Sequence, residues 1–161
     1  MEKHLDDERW MALYAECRAS LFRAAALIVG EADAEELVQD AFEHALRTPK
    51  FFENVREPRA WLRTTLVHLA VSRLRRHAVW ERIRPRRDSF VEGPDAETVD
   101  LRRALLRLRP EERAAIVMHH YYGAPYAEIA LALGVQVATI GKLLTRARRS
   151  LAALLTEPVH G

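Results

Sequence analysis

Basic and hydroxyl side chains share one predicted helix face in the segment from Tyr126 to Leu151 of this 161-residue chain. A helix turns about 100° per residue, so Lys142, Thr145, Arg146 and Arg149 lie together, opposite an apolar stripe. Cations bind phosphates, and arginine, lysine and threonine also hydrogen-bond base edges in a major groove. These residue types favour DNA binding, with a solvated basic surface as the ordinary alternative. The candidate contacts are Lys142, Thr145 and Arg146 for bases, and Arg148 and Arg149 for phosphates.

Two short helices and a tight turn are predicted to hold this basic face. The first helix carries Ile129, Ala130 and Leu133 on one side and ends at Gly134, because glycine readily takes the left-handed conformation that closes a helix. We expect valines to plug the turn and the second helix to bury one narrow stripe. The valines are Val135 and Val137, and the stripe is Ile140, Leu144, Ala147 and Leu151. The pattern is typical of a helix-turn-helix.

A second polar face is predicted on a helix between Arg59 and Arg76, opposite a leucine-rich stripe. This polar ridge consists of Trp61, Thr65, His68, Ser72 and Arg75, and Arg76 extends its basic end. Cations follow a nucleic-acid backbone and aromatic rings stack on bases, so the ridge could bind a single strand. A core position is the simpler interpretation of Trp61 itself.

An acidic stripe is predicted on the helix that follows Gly30. This helix is expected to begin at Asp33, whose carboxylate caps free amides while Glu36 completes a capping box. The inward positions are Ala34, Leu37, Val38, Ala41, Phe42 and Ala45. The outward positions, here called the acidic stripe, are Glu35, Glu36, Gln39, Asp40 and Glu43. Taken alone, the stripe is explained by solvation, and a partner-binding surface is the alternative.

Charge alternates along the chain, although the formal net charge is only +2. Residues 1–58 hold 7 basic and 13 acidic side chains, and residues 59–87 hold 9 and 1. Residues 88–100 hold 5 acidic side chains and no basic one, and residues 101–161 hold 9 basic and 4 acidic. Two basic blocks separated by an acidic one indicate two nucleic-acid contacts on a jointed molecule.

The acidic residues 88–100 are predicted to form a linker. They contain Gly93-Pro94 and lack helical periodicity. Apolar residues at helical spacing occupy most of the chain on either side. We therefore expect an all-α fold of two small helical domains, residues 1–87 and residues 101–161.

Several function classes lack the residues that they need. No apolar run reaches the roughly 20 residues of a membrane span, and the N-terminus lacks the apolar core of a signal peptide, so we expect a cytoplasmic protein without membrane insertion. Cys17 has no partner for an internal disulfide. His119 and His120 point about 100° apart on a helix without a third ligand at helical spacing, so no metal is expected. No nucleophile with a nearby base and no glycine-rich phosphate loop is apparent, so we expect no cofactor and no enzyme.

Four segments together resemble a known family. DAEELVQDAF (33–42), PRAWLRTTLVHLAVSRLRR (58–76), LRRALLRLRPEERAAIVMHHYYG (101–123) and YAEIALALGVQVATIGKLLTRARRSL (126–151) are similar to regions 2 and 4 of the extracytoplasmic-function (group IV) sigma factors of bacterial RNA polymerase. The order and spacing are preserved across nearly the whole chain. The resemblance implies a two-domain, all-α transcription initiation factor.

The resemblance also implies a partner for each face. The acidic stripe would dock on the clamp helices of the polymerase β′ subunit, and the region 4-like domain would contact the β flap. The polar ridge would melt and bind the −10 element, and the last helix, with Thr139 at its start, would bind the −35 element. An anti-sigma factor is a further candidate partner. The alternative function is a sigma-like DNA-binding regulator or adaptor that does not itself initiate transcription.

Four residues differ from the usual family pattern. His68 and Ser72 stand where the family usually has Asn and Asp, and Gly141 and Leu143 stand where the recognition helix usually carries basic residues. All four lie at DNA-contacting positions rather than at polymerase-docking ones. We therefore expect them to affect which promoter is bound and how it is opened.

Overall fold

Helical spacing of apolar residues in the first part of the chain produces three long α-helices and one short one. The computed structural model describes residues 1–81 and 96–156. The first four helices, here called the N-terminal half, are α1 (Glu2–Val29), α2 (Glu31–Arg47), α3 (Phe51–Asn54) and α4 (Pro58–Glu81). α1, α2 and α4 pack against one another. All six predicted inward positions of α2 are buried, which confirms the helical phase on which the acidic stripe depends.

The start of α2 differs from its predicted cap. α2 begins at Glu31, and Gly30 both ends α1 and precedes α2, with φ +91°. Asp33 therefore lies inside the first turn, where no side chain caps the helix, and the predicted capping box is wrong. A single glycine joins the two helices, which leaves no room for a separate capping residue.

The remaining elements, here called the C-terminal half, begin earlier than expected. They are α5 (Ala96–Arg107), α6 (Pro110–Ile116), a π-helical turn (Val117–Tyr121), α7 (Tyr126–Leu133), a 3₁₀ turn (Val137–Thr139) and α8 (Ile140–Thr156). α5 includes residues 96–100, the last five residues of the predicted linker. Residues 82–95, which hold the rest of the linker and the end of the basic block, lie outside the described residues, as do residues 157–161.

The predicted turn between α7 and α8 forms around Gly134. This glycine has φ +66° and ψ +35°, the left-handed conformation expected at the end of a helix. The two valines that follow are exposed, Val135 by 38% and Val137 by 50%, so the prediction that they plug the turn is wrong. Leu133 and Ile140 are buried on either side of the turn and fill its interior instead.

The two halves pack directly against each other. α4 contacts α6 and α7, and α1 contacts α5. Apolar side chains from both halves belong to one continuous buried cluster. Arg113, which is 5% exposed, donates hydrogen bonds to the carbonyl oxygens of Leu105, Leu106 and Leu108 at the end of α5, and also to that of Ile28 in α1. This guanidinium joins the helix ends of both halves.

Within the described part of the chain, no single helix is long and apolar enough to cross a membrane. Tyr126–Leu133 and Val137–Thr156 reach that length and composition only as a pair, which is bent by 104°.

Candidate functional site

The basic face predicted on α8 is exposed. Ile140, Leu144 and Ala147 are buried against the C-terminal half, which turns the opposite side of α8 toward solvent. The exposed residues are Thr139, Lys142, Thr145, Arg146, Arg148 and Arg149. The face forms one wall of a shallow groove, whose other lining residues include Tyr126, Ala138 and Gly141. A helix that presents four cations beside a groove has the chemistry required to bind phosphates and base edges.

The two threonines on this face donate their hydroxyl protons to nearby backbone. Thr145 Oγ1 donates to the carbonyl oxygen of Gly141 at 2.9 Å, and Thr139 Oγ1 donates to that of Gln136 at 2.7 Å. Their oxygens remain able to accept hydrogen bonds. Lys142 and the arginines supply the cationic donors of this face.

Arg148 is held at the edge of the basic face. Its Nε donates to Nε2 of His120 at 3.4 Å. Burial, together with the neighbouring His119 and Arg148, lowers the pKa of His120, so its imidazole is neutral at pH 7 and can accept this bond. Arg148 is therefore held at the flank of the basic face.

The polar ridge on α4 combines structural and solvent-facing residues. The ring of Trp61 packs edge-on against buried Phe51 with centroids 5.1 Å apart, which supports the core interpretation of that tryptophan. Thr65 and Ser72 are half-buried, and His68 is exposed. Arg75 and Arg76 are exposed at the far end of the ridge.

The C-terminal half contacts this ridge at two positions. Nδ1 of His68 lies 3.3 Å from the carbonyl oxygen of Ala132 in α7. Nε of Arg75 donates to Oε1 of Glu111 in α6 at 2.8 Å. His68 and Arg75 are thus the two ridge residues that the C-terminal half engages through these hydrogen bonds.

A third contact, beside the ridge, involves Arg63, which the sequence analysis did not identify. Its guanidinium binds both carboxylate oxygens of Glu128 in α7, with three donor–acceptor distances of 2.8–3.1 Å. The side chains are only 27% and 12% exposed, so water screens this pair weakly. The two residues are 65 positions apart, and no local spacing rule connects them.

Tyr122 supports the same contact. The Arg63 guanidinium lies 5.6 Å from the centre of the Tyr122 ring, within range for a cation–π interaction. The Tyr122 hydroxyl donates to the carbonyl oxygen of Ser20 in α1 at 3.2 Å. Burial raises the pKa of Tyr122 to about 12, so the hydroxyl keeps its proton at neutral pH.

The acidic stripe on α2 faces solvent, but part of its charge is compensated. Arg73, from α4, binds Glu36 at 3.0 Å, and Arg18, from α1, binds Glu35 at 3.5 Å. Glu43 makes only a loose contact of 3.8 Å with Arg47. Among the described residues Asp40 makes no ion pair within 4.0 Å, so the negative charge available to a partner concentrates on half-buried Asp40 and exposed Glu43, with exposed Gln39 preceding Asp40.

Two family models match the chain. The sigma-70 region 2 model matches residues 13–79, which include the acidic stripe and the polar ridge. The sigma-70 region 4 model matches residues 98–151, which include the helix-turn-helix. Together they cover the two regions implied by the sequence resemblance.

Curated relatives and solved structures agree with these models. The probable ECF RNA polymerase sigma factor SigI of Mycobacterium tuberculosis is 36% identical over 151 residues, covering 83% of this chain and 51% of SigI. The ECF RNA polymerase sigma factor SigL of the same species is 32% identical over 157 residues, covering 91% of this chain and 88% of SigL. The chain therefore spans about half the length of SigI but most of SigL.

Two solved structures share the fold. The sigma factor RpoE of Bartonella quintana, solved in complex with the anti-sigma factor NepR, superposes over 99% of both chains with a TM-score of 0.73 and 26% identity. The extracytoplasmic function sigma factor SigJ of Mycobacterium tuberculosis superposes over 93% of this chain and 54% of its own, with a TM-score of 0.63 and 30% identity.

Proposed function

We propose a role in transcription initiation from one premise: this chain belongs to the ECF RNA polymerase sigma factors. In this role it binds core RNA polymerase and directs the enzyme to particular promoters. The observation that carries the proposal is the exposed basic face of α8. Four cationic side chains beside a groove suit the phosphates and base edges of duplex DNA. The role is that of a binding factor rather than an enzyme.

Within this role, α8 contacts the −35 element. Lys142 and Arg146 bind base edges, while Arg148 and Arg149 bind phosphates. The flank position of Arg148, fixed by His120, supports that division. The side chains of Gly141 and Leu143 have no hydrogen-bond donors, so sequence recognition depends on few side chains. Thr139 and Thr145 contribute hydroxyl oxygens as hydrogen-bond acceptors.

The polar ridge on α4 contacts the −10 element. Thr65, His68 and Ser72 offer hydrogen-bonding groups to unpaired bases, and Arg75 and Arg76 follow the backbone. Trp61 supports the ridge from the core side, because its ring packs on Phe51.

The acidic stripe binds core polymerase. Asp40 and Glu43 provide most of its available charge, and they project from α2, whose opposite side is fixed in the core. A rigid helix of this kind suits the β′ clamp helices, and the C-terminal half contacts the β flap. A cytoplasmic location follows from this role, and an anti-sigma factor is a candidate inhibitor because RpoE, its structural relative, was solved with one.

Reconstituted transcription tests the role. Core RNA polymerase and the purified chain are incubated with a library of genomic promoter fragments, and run-off transcripts are sequenced. We expect transcripts from a restricted set of fragments that share −35 and −10 sequences. Stable binding to core polymerase without any specific transcript would instead support the alternative function, a sigma-like regulator or adaptor that does not initiate.

A further inference from the structure

A second groove lies on the C-terminal half, between the turn that joins α5 to α6 and the last three turns of α8. Its volume is about 590 Å³, within the range of small-molecule binding sites. Leu108 and Leu154 give it apolar surface, and four charged side chains line it as well. One of these, Arg146, also lines the groove beside the basic face. This second groove is here called the α5–α8 groove.

Glu112, in the first turn of α6, lines the α5–α8 groove although only 4% of it is exposed. Among the described residues no donor lies within hydrogen-bonding distance of its carboxylate, and no cation lies within 4.0 Å. The carboxylate is not sealed, because the one fully buried side-chain polar atom without a partner in residues 1–81 and 96–156 is Nδ1 of His119. Its oxygens therefore remain accessible from the groove. A carboxylate only accepts hydrogen bonds, so a ligand that donates to it would satisfy it.

Three exposed arginines line the same groove. Arg107 ends α5 and Arg109 follows it in the turn, while Arg146 extends from α8 on the other side. Guanidinium groups bind phosphate oxygens through two parallel hydrogen bonds, and they repel cations. A ligand that fits the groove therefore carries hydrogen-bond donors at one end, for Glu112, and negative charge at the other.

Guanine meets the first of these requirements. Its N1–H and N2–H₂ groups are adjacent donors on one edge, and together they pair with both oxygens of a carboxylate. Adenine presents one amino group beside an unprotonated ring nitrogen on the corresponding edge, so a lone pair would face one carboxylate oxygen. The carboxylate thus favours guanine over adenine, and the arginines favour a nucleotide over a free base.

We propose that the α5–α8 groove binds a free guanine nucleotide with two or more phosphates. Glu112 accepts hydrogen bonds from N1–H and N2–H₂ of the base, and the apolar residues of the groove pack against the purine rings. The three arginines bind the phosphates. The site belongs to the C-terminal half alone and does not depend on a role in transcription.

Arg146 connects the site to the proposed function, on which this further step rests. Its side chain cannot bind a phosphate of the nucleotide and a base edge of the −35 element at the same time. A bound nucleotide therefore lowers the affinity of α8 for DNA, and DNA lowers the affinity for the nucleotide by the same factor.

Isothermal titration calorimetry of the full chain with GDP and with ADP tests the site. The two probes carry the same ribose and phosphates and differ only in the base. We expect GDP to bind about tenfold more tightly than ADP, because adenine leaves Glu112 without its second donor. GMP should bind more weakly than GDP, since it offers fewer phosphate oxygens to the arginines. Equal affinities for GDP and ADP, or no binding of GDP at millimolar concentration, would overturn the proposal.

Substitutions separate binding of the base from binding of the phosphates. Glu112→Gln should lower the affinity for GDP about tenfold and leave that for ADP nearly unchanged, so the preference for guanine disappears. Arg109→Met should weaken binding of both nucleotides by a similar factor and preserve the preference. The matched control, Glu53→Gln, removes an equal charge from an exposed side chain of α3 and should bind as the parent does. An undiminished preference for GDP in Glu112→Gln would reject the assignment of the base.

A groove-filling variant provides a test that leaves Glu112 in place. Ala153 is an exposed lining residue on α8, so Ala153→Phe puts a ring into the groove without removing a charged side chain. The variant should keep the helical circular dichroism of the parent and lose binding of GDP. A folded Ala153→Phe protein that binds GDP as the parent does would overturn the site.

Competition with DNA tests the coupling through Arg146. Saturating GDP should weaken binding of the holoenzyme to a −35 duplex about tenfold, and the same concentration of ADP should have a smaller effect. If the chain binds neither core polymerase nor promoter DNA, the proposed function fails while calorimetry on the free chain still reports the site. If GDP and the duplex bind without competition, the coupling through Arg146 is rejected.

Discussion

Gly141 faces the ring of Tyr126 in the groove beside α8: a Cβ built on the glycine would lie 3.9 Å from Cε2 of the tyrosine. That distance is ordinary van der Waals contact, so the site tolerates a methyl group. The glycine is therefore not required by packing. It leaves the groove open at a position where the family usually carries a basic side chain.

We predict that Gly141→Ala stabilises the protein. Alanine is favoured over glycine by about 1 kcal/mol in a helix interior and by less in the first turn, where Gly141 lies, and the added methyl group meets no close neighbour. The control is Gly134→Ala, where a Cβ also has free space but φ is +66°, so the same substitution should cost about 1–2 kcal/mol. Thermal and urea unfolding of both proteins should give opposite signs. A loss of stability in Gly141→Ala would show that the groove needs the glycine for packing.

Replacing Arg146 and replacing Arg149 should have different effects on the affinity for cognate and scrambled DNA. A base-contacting arginine contributes about 1–3 kcal/mol to the cognate site and little to other sequences, whereas a phosphate contact weakens both and lowers the salt slope by about one. Arg146→Ala should therefore reduce discrimination between the cognate and a scrambled −35 element, and Arg149→Ala should not. The measurement is holoenzyme binding to both DNAs across a salt series. Equal losses for Arg146→Ala on both would show that α8 binds only phosphates.

Charge reversal on the acidic stripe should abolish binding to core polymerase. Arg18 and Arg73 pair with Glu35 and Glu36, so Asp40 and Glu43 carry most of the unpaired negative charge of the stripe. The double change Asp40→Lys with Glu43→Lys inverts that charge and leaves the buried side of α2 unchanged. We expect the variant to lose co-elution with core polymerase on gel filtration and to keep its helical circular dichroism. Glu8→Lys with Glu53→Lys carries the same change in net charge on exposed positions outside the stripe and should co-elute normally. Retained binding by the stripe variant would place the docking surface elsewhere.

Arg113 should be essential for stability. Arg113→Met removes the guanidinium hydrogen bonds to carbonyl oxygens at the ends of α5 and α1, at a cost of about 2–4 kcal/mol, although the Leu105 oxygen keeps its bond from the Leu108 N–H. Arg109→Met, at an exposed position four residues earlier, should change stability by less than about 0.5 kcal/mol. Urea unfolding of the two variants provides the comparison. Similar stabilities would mean that water can replace the guanidinium.

Much of the candidate site was predictable because it depends on local rules. Helical phase alone placed the inward residues of α2 and the buried stripe of α8, so it also placed the acidic stripe and the basic face opposite them. Gly134 closed α7 in the left-handed conformation that its residue type favours. The roles of those faces stay predictions until the binding experiments are done.

The predictions were wrong where a single residue type was used to place a feature that neighbouring residues also influence. Asp33 is a good capping residue, but Gly30 started α2 two residues before it. Val135 and Val137 are apolar, but Leu133 and Ile140 already filled the turn. Residues 96–100 were predicted to be linker, but they belong to α5.

The sequence by itself determined most of the helices, the basic face of α8 and the acidic stripe, because spacing and residue type fix which side of a helix is apolar. Only the tertiary structure decided that α7 packs against α4 beside the polar ridge. Arg63 and Glu128 are 65 residues apart, and each looks like an ordinary surface charge within its own helix. Their pairing depends on how two helical halves dock, which is set by shape and buried area across the whole molecule rather than by any periodicity along the chain.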